Sequence, residues 1–87
     1  MKIKEGFLLK EIDDTGIVVA TGKASKKFNN VITLNQTGIL LWKKLSEGCE
    51  KDELVKALTD IYDIDEFSAD RDVEAFLQNA KDANVIE

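Results

Sequence analysis

The hydrophobic positions change their spacing about two-fifths of the way along the chain. Before that point they form three short apolar runs, at positions 7–12, 17–21 and 31–34, the second of which is rich in β-branched residues. The first two runs flank an Asp/Gly cluster at 13–16, which is typical of a hairpin turn. Residues 22–30 have loop composition. Because an isolated hairpin is only marginally stable, we predict that the third run completes a small antiparallel sheet.

After residue 34 the apolar positions follow helical spacing and predict three helices. Asn35 is a good N-cap for the first helix, and Gly48 can end it. The second helix is expected to begin near Cys49 or Glu50, and an acidic turn at 63–66 follows it. Ser68 is expected to cap the third helix. A last short extended piece is predicted at residues 85–86.

Strands followed by helices indicate an α+β fold, with the helices covering one face of a three-stranded antiparallel sheet. Two helices joined near Gly48 give the arrangement a winged-helix-like character. The chain is too short to divide and has no linker, so residues 1–87 are predicted to form a single domain.

Composition excludes several classes of protein. The chain has no His and one Cys, so a His-based catalytic triad, a His-ligated zinc ion and an internal disulfide are all ruled out. No apolar run is long enough to cross a membrane, and the N-terminus has no signal-peptide pattern. These features predict a soluble, cytoplasmic protein that uses no cofactor and does not act at a membrane.

No residue pattern points to catalysis. Lys26 and Lys27 lie near a glycine but lack the spacing of a phosphate-binding loop. An EF-hand reading that starts at Asp63 fails where Phe67 and Ser68 replace an oxygen ligand and the glycine. With no nucleophile, base or metal set, we predict that the protein is not an enzyme.

Charge divides the chain into unequal halves. Residues 1–44 carry eight Lys and four acidic residues, whereas residues 45–87 carry four basic and thirteen acidic residues. The net charge of −5 opposes binding to nucleic acid. A winged-helix transcriptional regulator that binds DNA remains the alternative, although four acidic residues in and beside the second helix outnumber its basic residues Lys51 and Lys56. A peptide added to an exposed sheet edge is the other binding mode that such a fold allows.

Residues 34–42 carry a recognisable segment. Leu34-Asn35-Gln36-Thr37-Gly38-Ile39-Leu40-Leu41-Trp42 resembles the Leu-Asn-x-Thr-Gly-x-x-x-Trp segment of the PqqD family, whose domains are also called RiPP recognition elements. The similarity continues in order through Gly48 and residues 52–55 to 62–65 and 72–77. It therefore covers most of the chain.

The resemblance implies a non-catalytic peptide chaperone. Members of the family bind the leader of a ribosomally synthesised precursor peptide and present it to a modifying enzyme, often a radical SAM maturase. The leader is added as a strand beside the third strand and lies against the third helix. Whether such a domain is a monomer or a dimer is left open.

Carried onto this sequence, the resemblance gives two sets of candidate peptide-binding residues. The strand set is Val31, Ile32, Thr33 and Leu34. The helix set is Asp70, Arg71, Val73, Glu74, Leu77 and Gln78, with Lys81 as a further candidate. Arg71 would pair with a leader carboxylate and Glu74 with a leader Lys or Arg. Val73 and Leu77 belong either to the groove or to the core, because the same stripe must face the sheet.

Overall fold

A computed structural model describes residues 1–22 and 31–87. The predicted fold class is confirmed, since three antiparallel strands are followed by three helices. The strands are β1 (Phe7–Ile12), β2 (Thr15–Ala20) and β3 (Ile32–Leu34), and the helices are α1 (Gln36–Glu47), α2 (Lys51–Ile61) and α3 (Glu66–Asp82). The predicted loop at 22–30 lies outside the described residues except for Gly22.

The sheet has the order β1-β2-β3, and both pairings are antiparallel. Val18 lies at its centre, opposite Leu9 on one side and Ile32 on the other. The hairpin turn is shorter than predicted, because β2 already begins at Thr15. Asp13 makes this tight turn possible by adopting a left-handed φ of 54°, a conformation that Asp tolerates better than most residues.

Helix α1 packs on the face of the sheet that carries Val18, and α2 and α3 pack against α1 and against each other. The largest side chains with almost no solvent exposure come from the sheet, from all three helices and from the C-terminal segment: Val18, Leu41, Leu45, Leu54, Leu58, Val73 and Val85. Contact between α1 and β2 is close, since a Cβ atom on Gly16 would lie 2.7 Å from Ile39 Cγ1. The absence of a side chain at Gly16 thus lets α1 approach the sheet.

Helix α1 begins and ends where the sequence predicts. The Asn35 Oδ1 atom accepts a hydrogen bond from the Gly38 N–H at 2.9 Å, which satisfies one of the free donors of the first turn. Gly48 follows the helix with a φ of 87°, a conformation that favours glycine. Helix α2 then begins at Lys51, after its N-cap residue Glu50.

The start of α3 differs from the prediction. Its N-cap is Asp65 rather than Ser68, and the Asp65 Oδ1 atom accepts a hydrogen bond from the Ser68 N–H at 2.6 Å. Ser68 therefore occupies the third helical position. The sequence offered two good caps three residues apart, and the acidic one is used because its backbone is extended where the chain leaves Ile64.

The two ends of the chain lie side by side. Ile3 and Ile86 form an isolated antiparallel bridge, and the Lys4 N–H donates to the Val85 carbonyl oxygen at 2.8 Å. The extended piece predicted at 85–86 is confirmed in this form. Val85 is fully buried, so this pairing closes the end of the core beside α3.

Candidate functional site: the groove between β3 and α3

β3 is an edge strand. Its inner edge pairs with β2, and no strand among the described residues pairs with its outer edge. An edge of this kind presents main-chain N–H and C=O groups that a further extended segment can use. The same edge runs beside α3, and the depression between the two elements is called here the β3–α3 groove.

One end of the groove is an apolar cavity of about 190 Å³ beside the C-terminal half of α3. The aromatic side chains of Trp42 and Phe76 line it. The remaining lining residues come from β3, α3 and the C-terminal segment: Ile32, Thr33, Leu34, Asn79, Ala80, Ala83 and Val85. The small side chains of Ala80 and Ala83 leave the space that a larger pair would fill.

The other end of the groove is wider and more polar, with a volume of about 560 Å³. It continues from Phe76 to the start of α1, where Asn35 and Thr37 line it, and to Asp72 on α3. Ile32 belongs to the apolar end and Asn35 to the polar end, so β3 runs roughly antiparallel to α3. A bound strand would therefore pass both ends of the groove in turn.

Of the described residues that line the two ends, Asp72 is the one that carries a charge. The other polar residues there, Thr33, Asn35, Thr37 and Asn79, are neutral. Asp72 is exposed and makes no hydrogen bond or ion pair within the described parts of the chain. The groove thus combines an apolar cavity with one unpaired carboxylate.

The predicted strand residues lie at the groove. Ile32, Thr33 and Leu34 line it, and Val31, with 64% of its side chain exposed, comes directly before β3. Val73 and Leu77, for which the sequence left two roles open, are 0% and 4% exposed and belong to the hydrophobic core.

The other predicted helix residues do not line either end of the groove. The Lys51 ammonium of α2 forms ion pairs with Asp70 and Glu74, so these two carboxylates lie on the α2 side of α3. These partners raise the pKa of Lys51, with the Glu74 hydrogen bond as the largest cause.

Arg71 and Gln78 lie on a third side of α3. Successive helical residues are turned by about 100°, which puts both of them opposite the core stripe that contains Val73. They are exposed, as is Lys81, and the Gln78 amide donates to Asp82 Oδ1 at 3.0 Å. None of the three lines the groove.

The groove wall that sequence reasoning missed is formed by Asp72, Phe76, Asn79 and Ala83. Their spacing of four, three and four residues is that of one helical stripe. The signal that could have located this wall was Phe76, a half-buried aromatic residue at the margin of the core stripe. Periodicity alone does not say on which side of that stripe β3 lies, and the predicted wall was therefore rotated around the helix.

Cys49 lies away from the groove and is 8% exposed. Its burial raises the pKa of the thiol, and the nearby Glu53 carboxylate adds to this effect. A thiol of this kind is a poor nucleophile at neutral pH. Within residues 1–22 and 31–87, no group of His, Cys, Asp and Glu side chains has an arrangement that would hold a metal ion.

Comparison with protein families decides the relationship. The chain matches, over residues 8–86, the family described as coenzyme PQQ synthesis protein D (PqqD). It belongs to the PqqD family. The resemblance seen in residues 34–42 and beyond is thereby confirmed. No curated protein matches the chain in sequence.

Two solved structures share this PqqD fold. One is TbiB1 in complex with the TbiA(beta) leader peptide, with a TM-score of 0.80 and 25% identity over 100% of this chain and 95% of that chain. The other is a lasso peptide synthetase B1 complexed with the leader peptide, with a TM-score of 0.77 and 18% identity over 97% and 93%. Within the described residues, no helix is both long and apolar enough to span a bilayer.

Proposed function

We propose that this chain is a peptide-recognition domain that binds the leader of a ribosomally synthesised precursor peptide in the β3–α3 groove. The observation that carries the proposal is the outer edge of β3, which no described strand pairs with and which lies beside an apolar cavity. Membership of the PqqD family and the similarity to TbiB1, a protein described in complex with a leader peptide, support it.

The mechanism is strand addition. The main chain of the leader hydrogen-bonds with the outer edge of Val31, Ile32, Thr33 and Leu34, and so extends the sheet by one strand. Alternate side chains of the leader then point toward α3. An apolar cavity of about 150 Å³ accepts a benzene ring, so the 190 Å³ cavity beside Trp42 has room for one aromatic or large aliphatic side chain.

The protein acts by binding alone in this proposal, as a single domain over residues 1–87 that needs no cofactor. It holds the leader while a modifying enzyme acts on the rest of the precursor. A radical SAM maturase as that enzyme, and the cytoplasm as the location, are predictions from the family resemblance and the composition. No observation favours the DNA-binding alternative, because α2 carries Asp52, Glu53 and Asp60 beside its two lysines.

The test uses Trp42 as a reporter, because it is the one tryptophan of the chain and lines the cavity. Peptides are selected on the protein from a displayed library of random segments of about 15 residues, a length that exceeds the groove in extended form. An enriched peptide without tryptophan is then synthesised and titrated. We expect a saturable change in Trp42 emission. Failure to enrich any peptide, or binding that leaves Trp42 emission unchanged, would contradict the proposal.

A further inference from the structure

The charges on α3 divide into two groups with different surroundings. Asp70 and Glu74 are already neutralised by Lys51 of α2. Asp72 has no such partner among the described residues and lies at the polar end of the groove. Among the described residues that line the groove, a bound leader therefore meets one carboxylate and no cation.

We infer that Asp72 selects leaders that carry a Lys or Arg beside it, at a fixed distance from the side chain that fills the cavity; this rests on the proposed function. A bound cationic side chain would gain a charge-assisted hydrogen bond. A leader carboxylate at the same place would be repelled by Asp72. Leaders with an acidic residue there would therefore bind more weakly. Asp72 is thus a specificity-determining residue.

Geometry gives the spacing of the two leader residues. The α3 residues that line the cavity, Phe76 to Ala83, are centred between seven and eight positions after Asp72. At 1.5 Å per helical residue this separation is about 11 Å. An extended strand covers that distance in about three residues. Because only every second side chain faces α3, the basic residue and the cavity-filling residue are expected about two or four positions apart.

The family resemblance points to Arg71 and Glu74 as the charged partners of the leader, but neither of them lines the groove. Arg71 would favour acidic leaders, but it lies outside the groove. Glu74 would favour basic leaders, but it is engaged by Lys51. Glu74→Gln is therefore a matched control for Asp72→Asn, since both remove one negative charge from the same helix and Lys51 keeps Asp70 in the control.

The experiment uses peptides selected from the random library on the wild-type chain. We expect their sequences to share Lys or Arg at one position, two or four residues from an aromatic or large aliphatic residue. One selected peptide is then synthesised with its basic residue, and with Gln or Glu in that place. The dissociation constants are measured by Trp42 emission for wild type, Asp72→Asn and Glu74→Gln.

For the wild type, the change from a basic residue to Gln is expected to weaken binding about fivefold, as for a partly exposed ion pair, and Glu is expected to weaken it further. Asp72→Asn should abolish this discrimination, and Glu74→Gln should retain it. Binding without a charge preference, or a preference that survives in Asp72→Asn, would overturn the inference and leave peptide binding intact. Absence of any binding would overturn the proposed function as well.

Discussion

Single side chains decide where the elements begin. Asn35 and Asp65 are both N-caps, and each accepts a hydrogen bond from the N–H three residues later. The sequence identified Asn35 but placed the second cap at Ser68, because both Ser and Asp suit this position. The choice between them depends on where the chain turns after α2, which is a property of the packed helices and not of the local residues.

Asp65 makes the stability of the fold depend on pH. Its carboxylate accepts a hydrogen bond from the Ser68 N–H, and this bond lowers the pKa of Asp65 below its usual value. A lowered folded-state pKa stabilises the protein above the unfolded-state pKa, which is about 3.9, and this stabilisation is lost as the pH falls through the folded-state value.

We predict that Asp65→Ser, which keeps a capping oxygen but does not titrate, flattens this dependence. The free energy of unfolding is measured by urea denaturation between about pH 7 and pH 2. The wild type should lose more stability than Asp65→Ser at the acidic end. Asp63→Ser is the control, because Asp63 makes no hydrogen bond among the described residues. Parallel curves for wild type and Asp65→Ser would show that the cap is not used in solution.

Some features of the helices and strands were predictable from the sequence and others were not. The order of the elements, the hairpin and the ends of α1 follow from hydrophobic spacing and from residues such as Asn35 and Gly48. The face that each helix turns toward β3 does not follow, because it depends on how α3 is docked. That is why Val73 was recognised as a candidate without a definite role, and why Asp72 and Phe76 were missed.

The rotation of α3 can be tested by separating stability from binding. Val73→Ala is predicted to lower the free energy of unfolding by about 2 kcal/mol, since it deletes fully buried methyl groups. Peptide affinity of the folded variant should remain unchanged. Phe76→Ala is predicted to weaken peptide binding about tenfold or more, because the ring lines both ends of the groove.

Calorimetric titration with a selected peptide gives the affinities, and urea denaturation gives the stabilities. Gln78→Ala is the control on the solvent-facing side of α3, and it should change neither quantity appreciably. The two variants are compared under conditions in which both are folded to the same extent. If Val73→Ala then weakened peptide binding as much as Phe76→Ala, the assignment of Val73 to the core alone would be wrong.

In the whole molecule, as far as the structure describes it, the outer edge of β3 stays free of a strand partner beside α3. Helix α1 covers one face of the sheet, and the paired chain ends close the core at Val85, next to the apolar end of the groove. The strongly acidic second half of the sequence includes α3, but most of the charged residues of α3 lie away from β3. Net charge therefore describes the surface as a whole, whereas the preference of the groove is expected to follow one carboxylate, Asp72.

Peptide addition to β3 is the central claim, and amide chemical shifts of the labelled protein report on it directly. A selected peptide is titrated into the full chain while the backbone amide signals are followed. The account predicts the largest changes in Val31 to Leu34 and along the stripe from Asp72 to Ala83, together with slower amide hydrogen exchange in β3. Changes concentrated in β1 or α2, with β3 unaffected, would contradict it.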